Sequence, residues 1–417
     1  MGRAAILSQT AKMNDEAYYQ ERFRRMVAAN AAYWLKRVQA HTGAAAEMTV
    51  DALRGEQANL MKAVERALME PSARAAAISL TVELYPLVEL LGWWADWRAY
   101  LDQGLQVTSP QSAEAATLWQ QLAELHYLSG DLETAKAHGE LALALWQALG
   151  NPLGMAYAYS VLSLVYARLR QLEQAFEVCE QAVRALEGSE NPDSKIQQSL
   201  LGRIHNNWGI VCENLENFAE ALMHNEQAEV HLRQAGQLWK LPRLWHNRGS
   251  AYRYLGRPAE AEEAFVQAAA GHEANHDIGR RSLALHQMAI LAHERGDSAN
   301  ALLLVAEAES GLQQIGIRFE HAWLYNSRGE FYKALHRFED AEAALQEALV
   351  RWQALGEPPQ GVTTSLFNLA ELYALWGRPQ EARQLLLAAR ARLYAMAQPS
   401  PSLMQWVETL AAQLGEA

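Results

Sequence analysis

Only two of the 417 residues are cysteine, Cys179 and Cys212, and neither has a second cysteine at disulfide-framework, zinc-finger or redox spacing. A disulfide-stapled scaffold is excluded, and the two are read as reduced core thiols, because free cysteine packs as a small apolar side chain. Runs of Val, Ile and Thr that would make strands are missing, and Gly and Pro gather in short punctuating clusters. That leaves an all-α chain. No window offers the ~20 uncharged apolar residues of a membrane span. The richest stretch, "AAAISLTVELYPLVELLGWWADW", is broken by Glu83, Pro86 and Glu89, and the apolar run in "MGRAAILSQTAKM" is too short for a secretory signal. The expectation is a cytoplasmic protein with no membrane partner. Basic charge is in deficit too: 36 Lys and Arg against 48 Asp and Glu give a net charge of −12, which disfavours nucleic acid as a partner.

What the chain does have is a repeat. One alanine recurs at Ala135, Ala175, Ala221, Ala261, Ala301, Ala341 and Ala382, at spacings of 40, 46, 40, 40, 40 and 41. Seven residues after each anchor stands another alanine: Ala142, Ala182, Ala228, Ala268, Ala308, Ala348 and Ala389. Twelve before it the residue is always small, namely Ala123, Ser163, Gly209, Gly249, Ala289, Gly329 and Ala370, and nine before it stand Tyr166, Tyr252, Tyr332 and Tyr373 in four of the repeats. Two antiparallel helices approach closely only where their contact points lack bulk, so small residues must meet across the pair while the tyrosine fills the space beside them. "SGD", "LGRP", "RGD" and "WGRP" supply Gly or Pro between the two helices of a unit. Such hairpins bury their faces only by stacking, which predicts a superhelical solenoid.

The order small residue, Tyr, Ala, Ala resembles the tetratricopeptide repeat, and "WHNRGSAYRYLGRPAEAEEAFVQAA", Trp245 to Ala269, follows its signature closely. The unit length of about 40 residues is similar to the long-repeat branch that includes kinesin light chain. The resemblance implies a right-handed superhelical solenoid of seven repeats over residues 111–398, after an N-terminal helical region with a degenerate first hairpin at 1–110 and before a capping helix at 399–417. The 46-residue spacing places a loop insertion in "EGSENPDSK", 187–195. In the N-terminal region, Glu56, Asn59 and Leu60 form an E-x-x-N-L motif that resembles the start of the helical sensor in STAND signalling ATPases of the MalT class. No G-x-x-x-x-G-K-[ST] accompanies it.

Two stretches invite a catalytic reading. "GHEANHDIG" contains H-E-x-x-H, the zinc-protease pattern, at His272, Glu273 and His276. In register, however, His272 takes a position held elsewhere by Trp146, Leu186, Leu232, Leu312, Trp352 and Leu393. His276 falls where Gly150, Gly236, Gly316 and Gly356 stand, so the helix is expected to end between the two histidines. His205, Cys212 and Glu213 form a second ligand-like group, but His205 and Cys212 replace core aromatics of other repeats. Packing is the preferred reading of both. The expectation is therefore no enzyme, no cofactor and no metal, with a metal-dependent enzyme using HEANH as the weakest alternative.

In a tetratricopeptide solenoid the first helix of each pair lines the concave groove, which implies that residues 18, 15, 14, 11, 8 and 7 before each anchor face a ligand. At 15 and 14 before the anchors stand Gln120/Gln121, Ser160/Val161, Asn206/Asn207, His246/Asn247, His286/Gln287, Asn326/Ser327 and Phe367/Asn368, a ladder rich in amides. An amide donates and accepts, so it pairs with an extended peptide backbone whatever the peptide's side chains. Arg203, Arg243, Arg253, Tyr254 and Lys333 share that face, with Tyr157 and Trp323 as platforms, and suit an acidic or carboxylate-bearing segment. Glu213, Glu294, Glu330 and Glu371 temper its charge. The expected function is a protein- or peptide-binding scaffold or sensor module, in bacterial signalling; the alternative is a peptide-responsive regulator of the Rap type.

Overall fold

The anchor alanines explain the architecture. Ala135, Ala175, Ala221, Ala261, Ala301, Ala341 and Ala382 are all wholly shielded from solvent, as are Ala142, Ala182, Ala228, Ala268, Ala308, Ala348 and Ala389. Each pair lies on the second helix of a hairpin, where a larger side chain would hold the first helix away. The small residues on the first helices answer them: a Cβ built on Gly249 would lie 2.6 Å from the Phe265 ring, so only glycine fits there.

The structure is a computed structural model and describes residues 2–42, 53, 55–91, 93–187, 194–315, 319–355, 359–396 and 399–415. All its regular elements are helices among the described residues. They are α1 (Gly2–Thr42), α2 (Gln57–Met69), α3 (Arg74–Leu91), α4 (Trp94–Val107), α5 (Ala113–Ser129), α6 (Leu132–Ala148), α7 (Pro152–Arg168), α8 (Leu172–Glu187), α9 (Lys195–Asn214) and α10 (Phe218–Gln234). There follow α11 (Leu241–Tyr254), α12 (Pro258–Ala274), α13 (Ile278–Glu294), α14 (Ser298–Ile315), α15 (Phe319–Ala334), α16 (Phe338–Ala354), α17 (Pro359–Leu375), α18 (Pro379–Tyr394) and α19 (Pro401–Gln413). The expected insertion at 187–195 falls, at 188–193, outside the described residues, as do Gly316 and Gly356.

The chain divides into two compact units, Met1–Leu244 and Trp245–Ala417. In the first, α1 to α4 close a core around Trp97, Leu60, Leu80, Leu84 and Leu101, and the hairpins α5–α6, α7–α8 and α9–α10 follow. The E-x-x-N-L motif has a local cause there. Glu56 receives a 2.7 Å hydrogen bond from the Asn59 amide, its carbonyl accepts from the Leu60 N–H, and Leu60 enters the core. In the second unit the hairpins α13–α14, α15–α16 and α17–α18 stack, and Leu403, Val407, Leu410 and Ala411 of α19 pack on the last of them.

One backbone feature recurs in every hairpin. The residue five before each anchor has positive φ: Gly130 (86°), Arg170 (62°), Glu216 (60°), Gly256 (69°), Gly296 (87°), His336 (57°) and Gly377 (77°). The next N–H then reaches back to a carbonyl in the helix's last turn, as Asn217 N does to Cys212 O at 2.9 Å and Arg257 N to Tyr252 O at 2.9 Å. This is the left-handed helix stop that satisfies terminal carbonyls. In three hairpins the next residue is an arginine laid over the tyrosine of the first helix: Arg257 on Tyr252, Arg337 on Tyr332 and Arg378 on Tyr373, at 4.6, 4.5 and 4.1 Å from the ring centre. No helix among the described residues is long and apolar enough to cross a membrane.

Candidate functional site: the polar face of the first helices

The zinc-protease pattern does not survive folding. Helix α12 ends at Ala274, Asn275 is its cap, and His276 is exposed with φ 56°, doing the work of the glycines at Gly150 and Gly236. His272 is 4% exposed, with Nδ1 3.6 Å from Asp277 Oδ2. Asp277 caps α13 by accepting from Arg280 N at 3.0 Å and pairs with the Arg280 side chain at 2.8 Å. Burial alone would raise its pKa, but His272 and Arg280 together hold the carboxyl well below the usual range. The motif is a helix stop and the start of the next helix.

In the first unit the polar face is cross-linked. Arg203 of α9 donates from Nη1 to the Tyr157 hydroxyl at 2.8 Å, from Nε to Ser160 Oγ at 3.2 Å, and pairs with Glu124 of α5. Its guanidinium lies 4.3 Å from the Tyr157 ring centre. Asn207 Nδ2 donates to Ser160 O at 2.8 Å and to Ser160 Oγ at 3.1 Å, and Asn206 Nδ2 donates to Asn207 Oδ1 at 3.1 Å. Asn206 and Asn207 are 5% and 3% exposed, so these amides tie α9 to α7. Arg243 lies close enough to Tyr127 for its charge to favour the phenolate, although burial, the larger influence, raises that pKa. Gln120 serves packing, because its Oε1 accepts from buried Trp146 Nε1 at 3.1 Å.

The second unit's face has other partners. His246 meets Phe265 edge to face at 5.5 Å, and Trp323 does the same to Trp352 at 5.3 Å, so both are anchored by the core. Arg253 Nη1 donates to Glu294 at 2.7 Å and its guanidinium lies 4.4 Å from the exposed Tyr254 ring. His286 Nε2 sits 2.8 Å from Ser327 Oγ; burial, with Arg253 adding to it, pushes its pKa down to about 4, so the imidazole is neutral at pH 7. Lys333 pairs with Glu330 at 2.6 Å and with Glu371. Burial raises the Glu330 pKa against the pull of Lys333. Asn247, Asn326 and Asn368 are buried. Gln287 Oε1 and Asn326 Oδ1, on successive first helices, are buried acceptors with no hydrogen-bond donor.

Sequence reasoning missed one group. Cys212 does not meet His205 and Glu213 as a ligand set; its sulfur faces Glu220 and His224 on the partner helix α10. Burial pushes the thiols of Cys179 and Cys212 up to about 12 and the Glu213 carboxyl up to about 8.

The tetratricopeptide repeat family matches at residues 114–188, 320–395 and 242–270, the last covering the Trp245–Ala269 signature. Tetratricopeptide repeats are thus present over these residues. The chain is 26% identical over 262 residues to the Arabidopsis thaliana Protein KINESIN LIGHT CHAIN-RELATED 1, an alignment covering 56% of this chain and 39% of that protein. The chain thus spans well under half the length of the curated relatives it matches. Among solved structures, a Rap protein complexed with Competence and Sporulation Factor superposes with TM-score 0.61 at 14% identity, over 94% of this chain and 99% of that one. A STAND protein with a tetratricopeptide repeat sensor from Pyrococcus horikoshii gives TM-score 0.57 at 16% identity, over 88% and 54%. NprR in complex with its cognate peptide gives 0.50 at 15%, over 63% and 74%. At these identities the likeness is one of fold, and it places this repeat protein among helical solenoids.

Proposed function

We propose that this protein is a non-enzymatic module that holds an extended peptide segment against the polar face of its first helices. The observation that carries the reading is the pair of buried, donor-less acceptors Gln287 Oε1 and Asn326 Oδ1 on adjacent first helices. Leaving a buried acceptor unpaired costs about 1–3 kcal/mol, and the backbone N–H groups of an extended segment are the donors that would recover it. Net positive charge is not the main attraction, since Arg253 and Lys333 already face Glu294, Glu330 and Glu371. An acidic segment gains entry by exchange at Arg253, where the Glu294 side chain is 46% exposed and easily displaced. Tyr254 and Trp323 would supply apolar area beside it.

The Rap and NprR structures are each complexes, of Competence and Sporulation Factor and of a cognate peptide respectively, and their likeness in fold supports a peptide-responsive role in bacterial signalling for this chain. In that reading residues 1–110 are the part that reports binding, 111–398 the repeats and 399–417 the cap. The test is capture of extended peptides by Gln287→Met and Asn326→Leu variants. Both substitutions remove an unpaired acceptor, so they should leave thermal stability unchanged or raised while capture falls. Capture equal to wild type would remove the amide ladder from recognition.

A further inference from the structure

Away from that face, the hairpin of α9 and α10 gathers three chemically different donors. Cys212 comes from the last turns of α9, and Glu220 and His224, one turn apart, from the start of α10; their donor atoms all lie within 4.8 Å of one another. Cys212 is wholly buried and His224 is 5% exposed, while the Glu220 side chain is 32% exposed and gives the group an edge on solvent. His224 Nε2 stands 3.9 Å from Glu220 Oε1 and, although buried, has no hydrogen-bond partner. The other ring nitrogen, Nδ1, lies 3.3 Å from Gln227 Oε1 and 3.1 Å from His205 Nδ1. In the tautomer in which Nδ1 donates to that amide oxygen, Nε2 presents a lone pair toward the carboxylate. Glu220 is held in turn: Asn217 Nδ2 donates to its Oε2 at 2.5 Å, which leaves Oε1 on the His224 side.

We propose that Cys212 Sγ, His224 Nε2 and a Glu220 carboxylate oxygen bind a divalent transition-metal ion of the zinc class. A thiolate, an imidazole and a carboxylate match its preference for S, N and O donors, whereas calcium and magnesium take oxygen. Thiolate and carboxylate balance the two positive charges. Binding exchanges the thiol S–H bond for an S–metal bond and releases the proton to solvent, with no change of oxidation state. His205 and Gln227 hold His224, and Asn217 holds Glu220, from behind. The ion would pin α9 to α10.

The test uses cobalt(II) added to the purified full chain, with zinc(II) as competitor. One cobalt per chain is expected, with a near-ultraviolet thiolate-to-cobalt band that zinc abolishes. The band should persist in Cys179→Ser and vanish in Cys212→Ser. Glu220→Gln, at a part-exposed helix start where folding is not at risk, should keep helicity and weaken cobalt binding at least about tenfold. His224→Gln should do the same. Absence of the band in wild type, its survival in Cys212→Ser, or unchanged affinity in both Glu220→Gln and His224→Gln would overturn the proposal.

Discussion

The polar faces of the two units use the same repeat register and are wired differently. In the first, Arg203 is fastened by Tyr157, Ser160 and Glu124, and Asn207 is spent on Ser160, so the side chains reach back into their own scaffold. In the second, Arg253 holds a carboxylate that is 46% exposed, and Gln287 and Asn326 keep unpaired acceptors. Fourteen before the anchor, Asn207 serves cohesion while Gln287 keeps an open acceptor, as Gln121 Oε1 also does in the first unit; at the arginines the contrast is one of burial, because a buried pair is exclusive while a half-exposed one exchanges with solvent or ligand.

The largest effect expected of this difference is on Arg203. Arg203→Met strands Glu124, whose side chain is only 9% exposed, without its cation. Breaking such a pair should cost about 3 kcal/mol, read from urea unfolding at pH 7. A loss below about 1 kcal/mol would mean that the first unit's face is no more committed than the second's.

Next in size is Asp277, a buried carboxylate of the second unit that pairs with Arg280 at 2.8 Å. Asp277→Asn keeps the helix cap but loses the charge facing His272 and Arg280, at a cost of about 2 kcal/mol at neutral pH. The folded-state pKa is depressed, so this stability is present above the unfolded value near 4 and is lost as pH falls through the folded value. The gap between wild type and variant should therefore begin to shrink below about pH 4, narrow further as pH falls toward the folded value, and stay constant from pH 5 to 8. A gap that widens on acidification would reverse the assignment.

Much of this was legible in the sequence, and the limits are instructive. The anchors were readable because helix contact tolerates only small side chains, whatever the neighbours, and the end of α12 was readable because His276 stands in a column of glycines. The left-handed stops at Arg170, Glu216 and His336 were not: four repeats show Gly there, and the other three adopt the same φ with a Cβ because the hairpin geometry imposes it. Nor could the donors around Cys212 be read, since Glu220 and His224 lie beyond a turn and meet the sulfur only when α10 folds back. The ladder was visible as a register, but whether Asn207 would face a ligand or Ser160 depended on a contact 47 residues away. That backbone strain gives a third measurement: Glu216→Gly should stabilise the first unit by about 1 kcal/mol in thermal unfolding, as the left-handed region penalises a Cβ by about that much. No gain would mean that the wiring difference, rather than the shared backbone, governs local stability.

The smallest effect completes the comparison. Arg253→Met removes a cation from the second unit's polar face, yet Glu294 is left 46% exposed and rehydrates. Exposed pairs contribute about 0–1 kcal/mol, so the unfolding midpoint should barely move. What should change is recognition. With Glu294 no longer opposed, the face becomes more negative, and capture of an acidic peptide should weaken more than capture of a neutral one of the same length, increasingly so at low salt. Equal loss for both peptides would assign Arg253 to support of the Tyr254 ring, which its guanidinium covers, and not to charge selection.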